Sequence, residues 1–142
     1  MRIVGLDIGE KRIGVAVSDA TATLARPLNV LRPTGLETDA LDVVMREIAR
    51  LAAEEDGVSA IVVGLPRRLD GSPTPMTLRV EQFARRLEST ATVPVMLQDE
   101  RLSSREAESR LAVRDKDWRS RKTRLDAAAA AVILQDYLDS HA

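Results

Sequence analysis

Three carboxylates, far apart in the chain, stand where hydrolytic chemistry would use them. Asp7 interrupts the apolar run RIVGLD and is followed by Ile8-Gly9. A charged carboxylate at the end of a core strand is costly unless a partner or a cation offsets it. Gly9 lets a ligand or another backbone approach closely. Glu100 follows the segment VPVMLQD and precedes RLSS. Asp126 opens the alanine-rich run DAAAAAVILQDYL. Taken singly, each has an ordinary explanation. Asp7 can form a turn, Asp99-Glu100 can be a solvated pair ahead of a helix, and Asp126 can cap or complement a helix start. Taken together they describe a site, because ligands of open α/β sheets gather at the carboxyl ends of the strands. Three ionised carboxylates at close range need a compensating cation. Hard oxygen donors select Mg²⁺ or Mn²⁺.

Few other chemistries have their parts. The 142 residues contain no cysteine, which removes disulfides, thiolate zinc sites and a cysteine nucleophile together. The one histidine, His141, lies next to the last residue, so a Ser-His-Asp triad and a zinc cluster both lack members. Neither a G-x-x-x-x-G-K-[ST] loop nor a G-x-G-x-x-G turn is present.

Every acidic segment has basic neighbours. Lys11 and Arg12 follow Asp7, Arg101 adjoins Glu100, and Arg119, Arg121 and Lys122 lie in a loop leading to Asp126. Residues 110–124 hold seven basic and two acidic side chains, although the whole chain carries only −1. Any one of these cations is an ordinary solvated charge. As a group they suit a phosphate backbone, with an affinity that falls steeply as salt rises. Aromatics are 2% of the chain, so base recognition by aromatic stacking is not expected. Trp118 reads as a loop-anchoring hydrophobe.

The elements that must position these residues read as an α/β chain. RIVGLD forms a strand over Met1–Asp7, Gly9 to Lys11 turn, and Ile13–Ser18 returns as its antiparallel partner. A third strand is expected near Leu28–Leu31, after Pro27. Leu41, Val44, Met45, Ile48, Leu51 and Ala52 mark one face of a helix, with a capping box expected from Thr34 and Glu37. Ala60–Leu65 is a continuous apolar run, as in a parallel strand buried on both faces. Pro66 to Pro75 is a loop with an Asp70-Gly71 turn, and Val80, Phe83, Ala84 and Leu87 mark a second helix. Pro94–Gln98 is a further strand. Ser103 and Glu106 suggest a capped helix to about Leu111, and a last helix is expected from about Leu125 to Leu138. The order β-β-β-α-β-α-β-α-α predicts a mixed sheet in one domain spanning 1–142. No apolar run approaches the ~20 residues of a membrane span. The opening MRIVGLDIG reads as a strand and not as a signal peptide, so a cytoplasmic protein is expected.

Four segments in order resemble one known family. GLDIGEKRIGVAVSD, IVVGLPRRLDGS, QDERLSSREAE and RLDAAAAAVILQDYL are similar to those of the bacterial YqgF-type, Holliday-junction-resolvase-like family, described as pre-16S rRNA nucleases. The resemblance covers essentially the whole chain. It implies a ribonuclease-H-like fold with a mixed five-stranded sheet flanked by helices. It implies that Asp7, Glu100 and Asp126 are the acidic active-site residues. The carboxylates themselves point to one or two Mg²⁺ or Mn²⁺ ions held by these three, with Asp7, rigidly placed on the central strand, expected as the bridging ligand. The resemblance also implies a nuclease that matures the 5′ end of 16S ribosomal RNA. The alternatives are a DNA junction resolvase acting as a symmetric dimer, a non-catalytic nucleic-acid-binding or ribosome-associated factor, and an actin-like ATPase domain. Both monomer and homodimer fit. Glu10 and Arg67-Arg68 depart from the usual pattern. The two arginines add positive charge to the loop before Leu69-Asp70-Gly71, which bears on substrate choice.

Overall fold

A computed structural model describes residues 1–100 and 118–141, with side chains described for 1–100 and 127–141. Five strands form one sheet: β1 (Arg2–Ile8), β2 (Ile13–Ser18), β3 (Ala25–Leu31), β4 (Val58–Leu65) and β5 (Val95–Asp99), in the spatial order β3-β2-β1-β4-β5. β1 pairs antiparallel with β2 and parallel with β4, and β4 pairs parallel with β5. The sheet is therefore mixed, as expected. The carboxyl ends of β1, β4 and β5 share one rim.

Strand alternation sorts the core onto two faces. Val4, Leu6 and Ile8 of β1, with Ile61, Val63 and Leu65 of β4, join Val44, Ile48 and Leu51 of α1 (Ala40–Ala52) and Val80, Phe83 and Leu87 of α2 (Pro75–Thr90). On the other face Ala16 and Val62 meet Ala130, Ile133, Leu134 and Leu138 of α3 (Trp118–Ser140). This gives three layers, with the sheet between one helix and two. α3 packs very closely on β1. A methyl group placed on Gly5 would lie 2.8 Å from Leu134 Cβ and 3.1 Å from the Ala130 carbonyl oxygen. Ala130, fully buried on the face turned toward β1, is small enough to permit that approach.

Several sequence expectations are corrected. β3 starts at Ala25 and contains Pro27 instead of following it. Pro27 is tolerated because β3 is an edge strand. Val15 pairs with Asn29 and Ala16 with Pro27, which leaves Leu28 as the extra residue of a bulge. The capping box of Thr34 and Glu37 does not form. The residue preceding α1 is Asp39, which makes no side-chain cap bond. Thr34 donates to Asp39 from its backbone N–H at 2.8 Å and its hydroxyl at 3.0 Å. Glu37 is held instead by a two-pronged pair with Arg79 of α2 at 2.6 Å, a stronger, charge-assisted contact. The last helix begins at Trp118, not near Leu125. Arg119, Arg121 and Lys122 are thus helical, not in a loop, and Trp118 opens the helix. Arg and Lys are good helix formers, so the polar segment extends the helix that the alanines begin to signal. The helix expected from Ser103 to Leu111 lies outside the described residues. His141 is placed, with its ring stacked 4.0 Å from that of Tyr137.

Candidate active site

Asp7 occupies the same face of β1 as Gly5, the face covered by α3. Its register partner on β2 is Gly14. On the other side Leu6 pairs with Val63, so continuing the register brings Asp7 beside Gly64. Gly64 in turn pairs with Gln98 of β5. Glu100 follows β5 directly, and its backbone N–H donates to the Leu65 carbonyl at 3.2 Å. That bond anchors Glu100 to the end of β4.

One strand separates the two carboxylates, and Gly64 removes the obstacle. A methyl group on Gly64 would lie 2.5 Å from Glu100 Oε2 and 2.6 Å from Ile133 Cδ1. The Glu100 carboxyl therefore rests over the bare backbone of Gly64 and hydrogen-bonds Asp7 beyond it. Sequence reasoning did not single out Gly64. Its signal was a glycine inside the apolar run AIVVGL, a place where glycine weakens a strand unless something must approach the backbone.

The pair is electrostatically frustrated. Glu100 Oε2 is buried and has no hydrogen-bond partner among the described residues. Burial first, then the charge of Asp7, the hydrogen bond with Asp7 and the charge of Asp99 push the Glu100 carboxyl up to about 9. Two carboxylates this close cannot both ionise without a compensating charge. An orphaned buried oxygen, two converging carboxylates and a glycine that leaves room for them fit a hard divalent cation.

The third predicted acid, Asp126, lies within α3, eight residues after its first residue. It is therefore not at a helix start, and a capping role is excluded. α3 runs antiparallel to β1. Ala130 and Leu134 sit over Gly5, and Gln135 accepts from the Ala25 backbone at 2.9 Å, at the end of the sheet where β1 begins. Position 126, one turn before Ala130, is therefore toward the rim of Asp7 and Glu100. The Asp126 side chain lies outside what the structure describes. Among the described residues no group of three acidic or histidine side chains could hold a metal.

The basic residues divide similarly. Lys11 is exposed and Arg12 half-buried on the turn after β1, where the Gly9 N–H donates to the Arg12 carbonyl at 2.9 Å. This turn is pinned by Arg79, which pairs with Glu10 as well as with Glu37. Arg79 and Glu10 were not read as partners in the sequence, since they are 69 residues apart. Arg119, Arg121 and Lys122 occupy the first two turns of α3, and Arg101 lies outside the described residues.

The family model described as RuvX, Holliday junction resolvase, matches residues 1–140. The chain belongs to this family. A relative from Anaeromyxobacter dehalogenans is 44% identical over 142 residues, covering 100% of this chain and 99% of its own length. One from Geobacillus kaustophilus is 43% identical over 144 residues, covering 99% of each chain. Both bear the name "putative pre-16S rRNA nuclease". Among solved structures, the fowlpox virus Holliday junction resolvase superposes with a TM-score of 0.60 over 100% of both chains at 13% identity. RuvC of Thermus thermophilus, in complex with a Holliday junction substrate, gives 0.51 over 99% of this chain and 95% of its own at 19% identity. The family member thus has the ribonuclease-H-like fold of the resolvases. No described helix is long and apolar enough to cross a membrane.

Proposed function

We propose that this protein is a divalent-metal-dependent nuclease, one domain over 1–142, that hydrolyses phosphodiester bonds in structured nucleic acid in the cytoplasm, with precursor 16S ribosomal RNA as substrate. The observation that carries the reading is the meeting of Asp7 and Glu100 over Gly64, with Glu100 Oε2 buried and unpartnered among the described residues. The names of relatives 43–44% identical over nearly the full length support the substrate.

Asp7 and Glu100, joined by Asp126, would hold Mg²⁺ or Mn²⁺. When bound, such a cation supplies the positive charge that acidifies an attacking water and stabilises the leaving oxygen. The chain's own part is positional. β1 fixes Asp7 rigidly between two neighbouring strands. The Leu65 carbonyl fixes the backbone of Glu100. Lys11, Arg12, Arg101, Arg119, Arg121 and Lys122 attract and orient the phosphate backbone.

The test is incubation of purified protein with precursor rRNA and with a four-way DNA junction, with and without Mn²⁺. Metal-dependent cutting of the rRNA is expected. In folded Asp7→Asn and Glu100→Gln it should fall by more than about a hundredfold, a scale reached even by outer-shell partners of metal sites. Undiminished cutting by either variant would overturn the assignment. The description of the family favours a second reading, a resolvase acting as a two-fold dimer. Cutting of the DNA junction alone, by a dimer in solution, would select it.

A further inference from the structure

The β4–α2 loop begins where Glu100 is anchored. Leu65 accepts from the Glu100 N–H, Pro66 accepts from the Thr77 hydroxyl at 2.6 Å, and Thr74 caps α2 by accepting from the Met76 N–H at 3.2 Å. Both ends of the loop are thereby tied to the site rim. Between them the chain folds into a small braced hairpin. Arg67 and Pro73 form an antiparallel bridge. The Arg68 N–H donates to Ser72 at 2.9 Å, and the Gly71 N–H to Arg68 at 2.8 Å. Gly71 takes a positive φ of 89°, which glycine adopts without strain. Asp70 accepts from the Ser72 N–H and hydroxyl at 2.9 and 2.6 Å.

The arginine side chains brace the same hairpin. Arg67 Nη1 donates to the Gly71 carbonyl and Arg68 Nε to that of Pro73, each at 3.2 Å. A guanidinium carries five N–H donors, so these bonds leave both the charge and further donors for phosphate. At the turn, between Arg68 and Asp70, stands Leu69, 59% exposed. Its Cα is four residues beyond Leu65 and hence within about 14 Å of it, or about four base-pair rises.

A stiff loop, a branched apolar side chain at its tip and two cations behind it make a wedge. From this geometry we infer that Leu69 inserts between bases of a paired nucleic acid next to the cleavage site, while Arg67 and Arg68 hold the flanking phosphates. Apolar wedges of this kind partly unstack base steps and kink the helix. The substrate class so selected has a helix bordering an opened strand. This inference rests on the proposed nuclease reading, and it names the structural feature of the substrate that the site reads.

The test uses the full chain and an RNA hairpin with 2-aminopurine at the paired position beside the single-strand border. Binding by the wild type should raise the probe's fluorescence, since unstacking relieves its quenching. Leu69→Ala should abolish the rise while binding persists, and Leu69→Phe should keep it. Cleavage of the hairpin should fall about tenfold in Leu69→Ala, and cleavage of a single strand of the same sequence should not change. A wild-type complex without the fluorescence rise overturns the wedge, whether or not the RNA is cut. Equal loss on paired and single-stranded substrates also overturns it, since it would show a general defect. A fluorescence rise without cleavage would retain the wedge and sink the nuclease reading.

Discussion

Gly64 offers a sharp test of the site, because one methyl group there should separate stability from activity. In Gly64→Ala the added carbon would lie 2.5 Å from Glu100 Oε2 and 2.6 Å from Ile133 Cδ1. Carbon contacts are favourable at about 3.5–4.0 Å, so each neighbour must retreat by roughly 1 Å. Both are the free ends of flexible side chains, and the strand backbone need not move. The stability cost should therefore sit at the low end of overpacking, about 1–2 kcal/mol. For a chain of this size that lowers the melting temperature by about 2–8 °C. Activity should respond quite differently. The carboxyl that must yield is the one resting over Gly64 against Asp7, and a displacement of about 1 Å at a reacting centre can cost on the order of a hundredfold in rate. Two measurements suffice: a thermal melt without metal, and initial rates of Mn²⁺-dependent cleavage well below the melting point. Cleavage within about twofold of wild type would refute the placement of Glu100 in the site. A drop in melting temperature far beyond the range above would show that the strand backbone, not the carboxylate, had taken up the strain.

Two further outcomes follow from the same geometry. In the metal-free protein Glu100→Gln should be stabilising. The folded state holds the Glu100 proton up to about 9, while the unfolded carboxyl ionises from 4.5. The unfolded state is therefore increasingly favoured as pH rises through this window, by about 1.4 kcal/mol per pH unit. The glutamine variant escapes this loss, gaining about 3 kcal/mol at pH 7 and nothing at pH 4. Paired urea titrations of variant and wild type in EDTA would show it, and an equal difference at both pH values would contradict it. Gly5→Ala should be costlier to the fold than Gly64→Ala, with a total cost of about 3 kcal/mol or more, because its methyl group would meet Leu134 Cβ and the Ala130 carbonyl of α3. Those atoms move only with the helix. A melting temperature equal to that of Gly64→Ala would count against the close packing of α3 on β1.

The sequence by itself determined the strands and most of the helices, because apolar periodicity is local. IGVAVS and the α1 face LDVVMREIARLA can be read without a partner. It also marked Asp7 and Glu100, since a carboxylate ending a core strand is anomalous wherever it occurs. Tertiary structure decided what these residues do to each other. That Asp7 and Glu100 meet depends on β4 lying between β1 and β5, and on Gly64 falling in the row that separates them. Strand order is a non-local property. The choice of Arg79 by Glu37, in place of a helix cap, has the same origin. Its partner becomes a neighbour only after α2 packs beside α1. The extent of α3 was also hidden, because its charged first part, WRSRKTR, carries no apolar periodicity by which a helix could be read.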